Sequence, residues 1–165
     1  MSNSTKKFQD FIYRYGNTGA IVSAHSRGTI TEGNGLRDLE EHGIHGIVKK
    51  TDFYLLGAAA HLQSIANRVD YLSDGEKNYI YVQGHILDPI STGIGSNPPT
   101  AYDVRFELYD SIHSLVLPLR EIGGAIIGHN PSTHNCYGNA SSECKTNYGS
   151  FDFKKLYSTR TGTKK

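Results

Sequence analysis

The chain has 165 residues, a formal net charge of +1 and an apolar share of 37%. This length predicts a single domain, residues 1–165, that is large enough to bury a core. The near-zero charge gives no general attraction for polyanions, so no nucleic-acid partner is expected. No apolar run approaches the ~20 residues that cross a bilayer, and residues 1–7 do not resemble a signal peptide.

Both ends of the chain are more basic than its middle. Lys6 and Lys7 lie near the start, and five basic residues lie near the end: Lys154, Lys155, Arg160, Lys164 and Lys165. Charged ends of this kind are typical of solvated segments. Flexible tails are therefore predicted at residues 1–10 and 155–165.

Residues 21–31, Ile-Val-Ser-Ala-His-Ser-Arg-Gly-Thr-Ile-Thr, have the layout of a nucleophile elbow. In this motif a strand turns sharply into a helix and presents a serine at the turn. The residues two places to either side are pressed together and must be small, as Ala24 and Gly28 are. Ser26 is therefore the candidate nucleophile, and the backbone N–H of Arg27 is the candidate oxyanion donor.

Strand and helix patterns alternate after the elbow. A helix is predicted over residues 29–41, a strand over 53–57, an amphipathic helix around 61–69 and a strand over 79–82. This alternation predicts an α/β fold, with a parallel sheet and right-handed crossovers.

The second half of the chain is less regular. Residues 92–100 are rich in Gly, Ser, Asn and Pro, which predicts a loop, and a helix is predicted over 102–120. Residues 123–128 are small and apolar, whereas 129–149 are polar and rich in turn formers.

Reactive groups in open parallel sheets gather beyond the carboxyl ends of the strands. Asp88 follows the 79–82 strand and Pro89 stiffens its turn, so Asp88 is either the triad acid or a cap for the turn. His134, in a polar loop, is the candidate base, and His129 is the second candidate. The order Ser, Asp, His is that of α/β-hydrolases.

The other candidate residues are two histidines and two cysteines. His25 and His85 are either structural or exposed residues, or they contact substrate; His85 precedes Asp88 by one turn at the end of the strand and is placed to line a pocket. Cys136 and Cys144 lie in a segment too polar to bury them in a core; they either form a local disulfide or remain free thiols. Because two cysteines without further ligands do not make a zinc site, no metal is expected.

Four segments, read in order, carry a resemblance: Ala-His-Ser-Arg-Gly-Thr, Asp-Pro-Ile-Ser, Gly-Ser-Asn-Pro and His-Asn-Cys-Tyr-Gly. Together they resemble a lipase-like segment found near the C-terminal ends of filamentous haemagglutinin and contact-dependent inhibition proteins. The similarity runs from about residue 21 to about residue 144. It implies a compact, truncated α/β-hydrolase-like parallel sheet flanked by helices, with Ser26, Asp88 and His134 as nucleophile, acid and base.

The resemblance also implies a function. The chain would be a serine ester hydrolase of lipase or esterase type, forming the C-terminal toxin domain of a larger secreted bacterial protein. It would act inside a neighbouring cell, and a cognate immunity protein would neutralise it. A lipid or other ester is the implied substrate, contact with a membrane surface would be transient, and no cofactor is implied.

The chain departs from full α/β-hydrolases at two points. Ala24 stands where their elbow has its first glycine. Only residues 1–20 precede the elbow strand, which leaves no room for the earlier strands or for the loop that supplies the second oxyanion donor. That donor is expected from the loop near residues 93–97, or it does not exist.

Two other functions fit parts of the sequence. A metal-independent RNase would use His129 and His134 for acid–base chemistry, although the charge and the lack of an aromatic-basic stripe disfavour it. A non-catalytic hydrolase-like module for binding or translocation would retain Ser26 as a structural residue only. The short segment before the elbow favours this second alternative.

Overall fold

A computed structural model describes residues 2–102, 133–138 and 151–160. In this part of the chain, four strands form one sheet in the order β1-β2-β3-β4. They are β1 (Ile21–His25), β2 (Asp52–Leu56), β3 (Tyr79–Gln83) and β4 (Lys154–Tyr157). β1, β2 and β3 are parallel, as predicted, whereas β4 pairs antiparallel with β3, so the sheet is mixed.

Three α-helices accompany the sheet: α1 (Asn3–Tyr15), α2 (Arg27–Glu41) and α3 (Leu62–Leu72). α2 connects β1 to β2, and α3 connects β2 to β3, which confirms the predicted alternation. Within the described residues, no helix has the length and apolar character needed to cross a membrane.

The main hydrophobic core lies between the helices and one face of the sheet. The strands contribute every second side chain to it: Val22, Ala24, Phe53, Leu55, Ile80 and Val82. The helices contribute apolar residues spaced three or four apart, including Leu36, Leu39, Leu62, Ile65, Val69 and Leu72. These two periodicities are what the pattern of the sequence predicts for strands and helices that share one core.

The prediction of a flexible tail at residues 1–10 is wrong, because most of this segment belongs to α1. Ser2 caps the helix by accepting a hydrogen bond from the backbone N–H of Thr5 at 3.2 Å. Ile12 is completely buried, and the ring of Phe8 lies so close to Gly35 of α2 that a Cβ atom there would come within 2.6 Å of it. Basic residues on the exposed side of α1 obscured its apolar face.

The predicted tail at the other end is also partly ordered. Residues 155–157 belong to β4, and Leu156 packs against the main core. Residues 161–165 lie outside the described part of the chain. A four-residue strand is short enough for its one partly buried side chain to leave no alternating pattern in the sequence.

A second, smaller apolar cluster lies near the carboxyl ends of β2 and β3. It consists of Leu56, Ala101, Cys136, Tyr137 and Phe151. This cluster anchors residues 133–138 at the edge of the sheet where β1, β2 and β3 end. Cys136 is therefore buried, contrary to the expectation from its polar surroundings in sequence.

The predicted loop over residues 92–100 is correct only in its second part. A six-residue π-helical turn, Pro89–Ile94, follows Asp88, and irregular structure begins after it. The predicted helix over 102–120 and the apolar segment over 123–128 lie outside the described residues, apart from Tyr102.

Candidate active site

Ser26 occupies a strained turn between β1 and α2. Its backbone has φ 53° and ψ −124°, a conformation that residues other than glycine rarely adopt. The carbonyl oxygen of Ser26 accepts hydrogen bonds from Thr29, at 3.1 Å from its backbone N–H and 2.6 Å from its Oγ1. Its own N–H donates to the Leu56 carbonyl of β2 at 3.1 Å. These contacts hold the turn in place at the carboxyl edge of the sheet.

The two small residues beside the turn are in close contact, as the elbow pattern requires. A Cβ atom placed on Gly28 would lie 3.5 Å from the Cβ of Ala24, which is ordinary van der Waals contact. An alanine would therefore fit at position 28, whereas a larger side chain would meet Ala24.

Arg27 is the first residue of α2, so its backbone N–H has no carbonyl acceptor within the helix. The side chain of Ser26 does not cap the helix either. The helix therefore does not use the Arg27 N–H, as the predicted role of oxyanion donor requires.

Asp88 lies just beyond β3 and is completely buried. Its Oδ1 accepts hydrogen bonds from the backbone N–H groups of Ile90 at 2.9 Å and Ser91 at 3.1 Å, the first residues of the π-helical turn. The turn cap and the triad acid were alternatives in the sequence. The capping bonds go to Oδ1, however, which leaves Oδ2 to accept from other donors. The two roles are therefore compatible.

His134 forms a buried pair with Asp88. Its Nδ1 lies 3.0 Å from each carboxylate oxygen, and the histidine is only 3% exposed. Because an ionised carboxylate can only accept hydrogen bonds, Nδ1 carries the proton. In the neutral ring, Nε2 then holds the lone pair, which is the tautomer that a general base requires.

Tyr137 is a third member of this group, and no sequence motif predicted its role. Its hydroxyl lies 2.7 Å from Asp88 Oδ2 and accepts a hydrogen bond from the backbone N–H of His85 at 2.9 Å. Tyr137 lies three residues after His134, within the His-Asn-Cys-Tyr-Gly segment. Because a buried tyrosine needs a partner for its hydroxyl, its closeness to His134 in the sequence was the one indication that it could belong to the site.

Asp88 is held as a carboxylate despite its burial. Burial alone would raise the pKa of Asp88, but the hydrogen bond and positive charge of His134, with the bonds from Tyr137 and Ser91, outweigh it and lower the pKa. The buried carboxylate therefore remains a hydrogen-bond acceptor for Nδ1 of His134.

His25 contacts the backbone of the candidate base. Its Nε2 donates a hydrogen bond to the carbonyl oxygen of His134 at 2.9 Å, and the two rings lie 4.7 Å apart at 31°. Partial burial and then the charge of His134 lower the pKa of His25, and the bond to the carbonyl and the nearby Asp88 offset this only in part. His25 keeps an exposed surface, so contact with substrate stays a prediction for this residue.

His85 does not fit its predicted role in substrate binding, because it is completely buried. Its Nδ1 accepts a hydrogen bond from the backbone N–H of Leu87 at 3.1 Å, and its ring stacks on Phe151 at 4.9 Å. His85 therefore has a structural role next to the turn that carries Asp88.

Gly57 connects the serine turn to the acid–base pair. It follows Leu56, whose carbonyl binds Ser26, and has φ +48°. A Cβ atom on Gly57 would lie 2.6 Å from the Tyr137 ring and 2.9 Å from Asp88 Oδ2. Only a glycine allows Tyr137 and Asp88 to approach the serine turn this closely.

Ser26 and His134 thus lie at the same edge of the sheet, but they are not bonded to each other. Among residues 2–102, 133–138 and 151–160, no hydrogen bond joins Ser26 Oγ to His134. The structure pairs the candidate acid with the candidate base and places the serine turn at the same edge of the sheet.

The amide of Asn97 is not the second oxyanion donor that the loop at 93–97 was expected to supply. Its Nδ2 donates to the carbonyls of Ala58 at 3.0 Å and Ala60 at 2.9 Å, and its Oδ1 accepts from the N–H of Leu62 at 2.8 Å. These three hydrogen bonds of the Asn97 side chain all go to residues at or just before the start of α3.

The remaining predicted site residues are described only in part. His129 and Cys144 lie outside the described residues. Cys136 is fully buried and disulfide-bonded. In the part of the chain that the structure describes, no group of three or more His, Cys, Asp or Glu side chains could hold a metal ion.

Comparison with protein-family models, with curated proteins and with solved structures found no match.

Proposed function

We propose that this chain is a serine ester hydrolase of the lipase or esterase type. The observation that carries the proposal is the strained backbone of Ser26 at a strand-to-helix turn, on the same sheet edge as the buried Asp88–His134 pair. Such a conformation costs on the order of 1–3 kcal/mol and is concentrated at functional sites. A buried carboxylate that fixes the tautomer of a histidine supports the same chemistry.

In the proposed reaction, Ser26 Oγ attacks the ester carbonyl while Nε2 of His134 takes its proton. The Arg27 N–H donates to the oxyanion of the tetrahedral intermediate. The bond to the alcohol then breaks, and the alcohol leaves with the proton from His134. Water, deprotonated by His134, hydrolyses the acyl-enzyme and restores the serine hydroxyl.

The contact between Ser26 and His134 must form during this reaction. Catalytic hydrogen bonds are often long in free enzymes and shorten only when substrate binds. Rotation of the Ser26 side chain changes the position of Oγ without disturbing the backbone contacts that hold the turn. Asp88 stabilises the imidazolium while it exists.

The biological setting belongs to the same proposal. The chain would be the toxin domain of a secreted bacterial contact-dependent inhibition protein, and an immunity protein would block it inside the target cell. Expression in bacterial cytoplasm should then slow growth for the wild type, and Ser26→Ala should relieve this effect. Equal growth inhibition by both proteins would argue against hydrolysis as the toxic activity.

The first experiment is labelling with a fluorophosphonate probe, which reacts with activated serines. The wild type should be labelled covalently, and Ser26→Ala should lose the label because the nucleophile is absent. Ser23→Ala is the matched control, since Ser23 lies on β1 and takes no part in the site; it should label normally. His134→Gln should reduce the labelling rate by roughly 10³-fold or more.

Two results would contradict the proposal: unchanged labelling of Ser26→Ala, or no labelling of a folded wild-type protein. In the second case, an RNA-cleavage assay separates the alternatives. Cleavage that depends on His134 would favour the RNase, and no cleavage would favour the non-catalytic module.

A further inference from the structure

The hydroxyl of Tyr137 lies between the carboxylate of Asp88 and the backbone of His85. Its oxygen is 2.7 Å from Asp88 Oδ2 and 2.9 Å from the backbone nitrogen of His85. Because a backbone N–H can only donate, the hydroxyl oxygen is the acceptor of the bond from His85. The hydroxyl proton is then directed to the carboxylate, so this bond has one possible direction.

The ring of Tyr137 is held as firmly as its hydroxyl. One side of it lies against Gly57, where a Cβ atom would come within 2.6 Å of the ring. The centroid of Phe151 is 5.2 Å away and that of His25 is 5.7 Å away. With 7% of its surface exposed, Tyr137 presents its hydroxyl to Asp88 from a fixed position.

Each oxygen of Asp88 therefore has a donor besides His134. Two backbone N–H groups bind Oδ1, and Tyr137 binds Oδ2. The carboxylate is fixed from two sides, and His134 Nδ1 lies symmetrically between its oxygens at 3.0 Å. The tyrosine hydroxyl is the only one of these donors that a side-chain substitution can remove.

We propose that Tyr137 is a positioning residue of the site, which rests on the function proposed above: its hydroxyl orients Asp88 toward His134 and sets how strongly the carboxylate attracts the imidazolium. A donor to a carboxylate withdraws electron density from it. Without that donor, Asp88 interacts more strongly with protonated His134, and His134 holds its proton to a higher pH. The general base is then protonated, and inactive, over a wider pH range.

Other titratable groups near the pair must be considered in any test. Among the described residues, these are His25 from β1 and His85 after β3, together with Asp88 and Tyr137 themselves. Burial and then the charge of His134 lower the pKa of His25, so the two histidines interact through charge. The His134 signal must therefore be observed directly, and not inferred from activity alone.

The test compares wild type with Tyr137→Phe by two measurements. Nuclear magnetic resonance follows the His134 ring signals with pH, and these are assigned by their loss in His134→Gln. The pH dependence of the fluorophosphonate labelling rate gives the second measurement. We expect the acidic limb of the labelling profile to move to higher pH in Tyr137→Phe, with the pH-dependent change of the His134 signals moving in the same direction.

Phe151→Leu is the matched control. It disturbs the packing around Tyr137 and His85 but removes no donor from Asp88. It should lower stability without moving the pH dependence of the His134 signals. If Tyr137→Phe changes the pH dependence of the His134 signals and of labelling no more than Phe151→Leu does, Tyr137 has a structural role only and the inference is overturned.

The two proposals fail separately. A shifted His134 titration without any labelling would support Tyr137 as a positioning residue and contradict the hydrolase. Labelling with an unshifted titration would do the reverse. If Tyr137→Phe does not fold, wild-type protein carrying 3-fluorotyrosine replaces it: this stronger donor should move the pH-dependent change of the His134 signals to lower pH, and no movement or movement to higher pH would overturn the inference.

Discussion

Asp88 caps a turn and also binds the candidate base, so its structural contacts and its proposed chemical role involve the same carboxylate. Oδ1 caps the π-helical turn through two backbone N–H groups, while both oxygens lie within hydrogen-bond distance of His134. Pro89 at the start of the turn has no N–H to satisfy, which leaves both donors at positions 90 and 91 to the carboxylate. The acid is thus oriented before any substrate arrives.

Asp88→Asn should preserve the cap but damage the pair. Asparagine Oδ1 can still accept the backbone bonds, whereas its amide presents donors to His134 Nδ1 and favours the wrong tautomer. In a serine triad this change typically lowers turnover by about 10⁴. The labelling rate should fall by a similar factor. Thermal stability should also fall, because the amide nitrogen then faces the Tyr137 hydroxyl proton in place of Oδ2. A labelling rate within tenfold of wild type would remove Asp88 from the triad.

Gly57 is the residue whose substitution should disturb the site most directly. Gly57→Ala places a methyl group against the Tyr137 ring and Asp88, in a backbone conformation that already disfavours a side chain. We expect the free energy of unfolding to fall by about 2 kcal/mol or more, together with a loss of labelling. Urea unfolding and the probe assay measure these effects.

Gly19→Ala separates the cost of the backbone conformation from the cost of the close contact with Tyr137 and Asp88. Gly19 also has a positive φ, +96°, but no atom lies within 4 Å of the place its Cβ would occupy. It should therefore suffer only the conformational cost, about 1–2 kcal/mol, and label normally. Equal effects of the two substitutions would mean that Gly57 is needed for its φ angle and not for the close approach of Tyr137.

At the scale of secondary-structure elements, α2 carries an unusual buried group. Glu32 is 6% exposed and its Oε2 has no hydrogen-bond partner among the described residues. Burial raises the pKa of Glu32 to about 8, from an ordinary value of 4.5. The helix that begins at Ser26 therefore keeps a neutral carboxyl group in its buried side at neutral pH.

This burial makes stability depend on pH in a defined direction. Below pH 4.5 Glu32 is protonated in both the folded and the unfolded protein, so the burial of a charge does not lower the free energy of unfolding. As the pH rises from 4.5 to about 8, the unfolded chain releases the proton while the folded chain retains it, so the free energy of unfolding falls. At pH 7 the loss is about 3 kcal/mol.

Glu32→Gln should abolish that loss, because glutamine has no proton to release. The variant should unfold at higher urea concentration than wild type at pH 7, and the difference should shrink toward pH 4. Glu41→Gln is the control, since Glu41 is exposed and pairs with Arg37 at 3.7 Å. A pH-independent difference for Glu32→Gln would show that the carboxyl ionises freely in the folded protein.

At the scale of the whole molecule, the elements near the elbow follow from local sequence patterns. The alternating strands and the apolar spacing of α2 and α3 have clear periodicities, and the three parallel strands were predicted within one residue of their observed positions. Ser26 and Asp88 were predicted from motif spacing and the strand-end rule, which act over short stretches of chain, and His134 was predicted from its place in a polar loop. α1 and β4 were missed, because their basic residues dominate the local composition.

The sequence by itself determined the alternation of strands and helices, the strained serine turn and the order of the candidate acid and base. These are consequences of local chemistry: side-chain periodicity, small residues at a tight turn and a carboxylate at a strand end. Only the tertiary structure decided that Tyr137 binds Asp88, that His85 is buried, that Asn97 is committed to α3 and that β4 runs antiparallel. These facts depend on contacts between residues far apart in the chain, and their geometry has no counterpart in the spacing of the sequence.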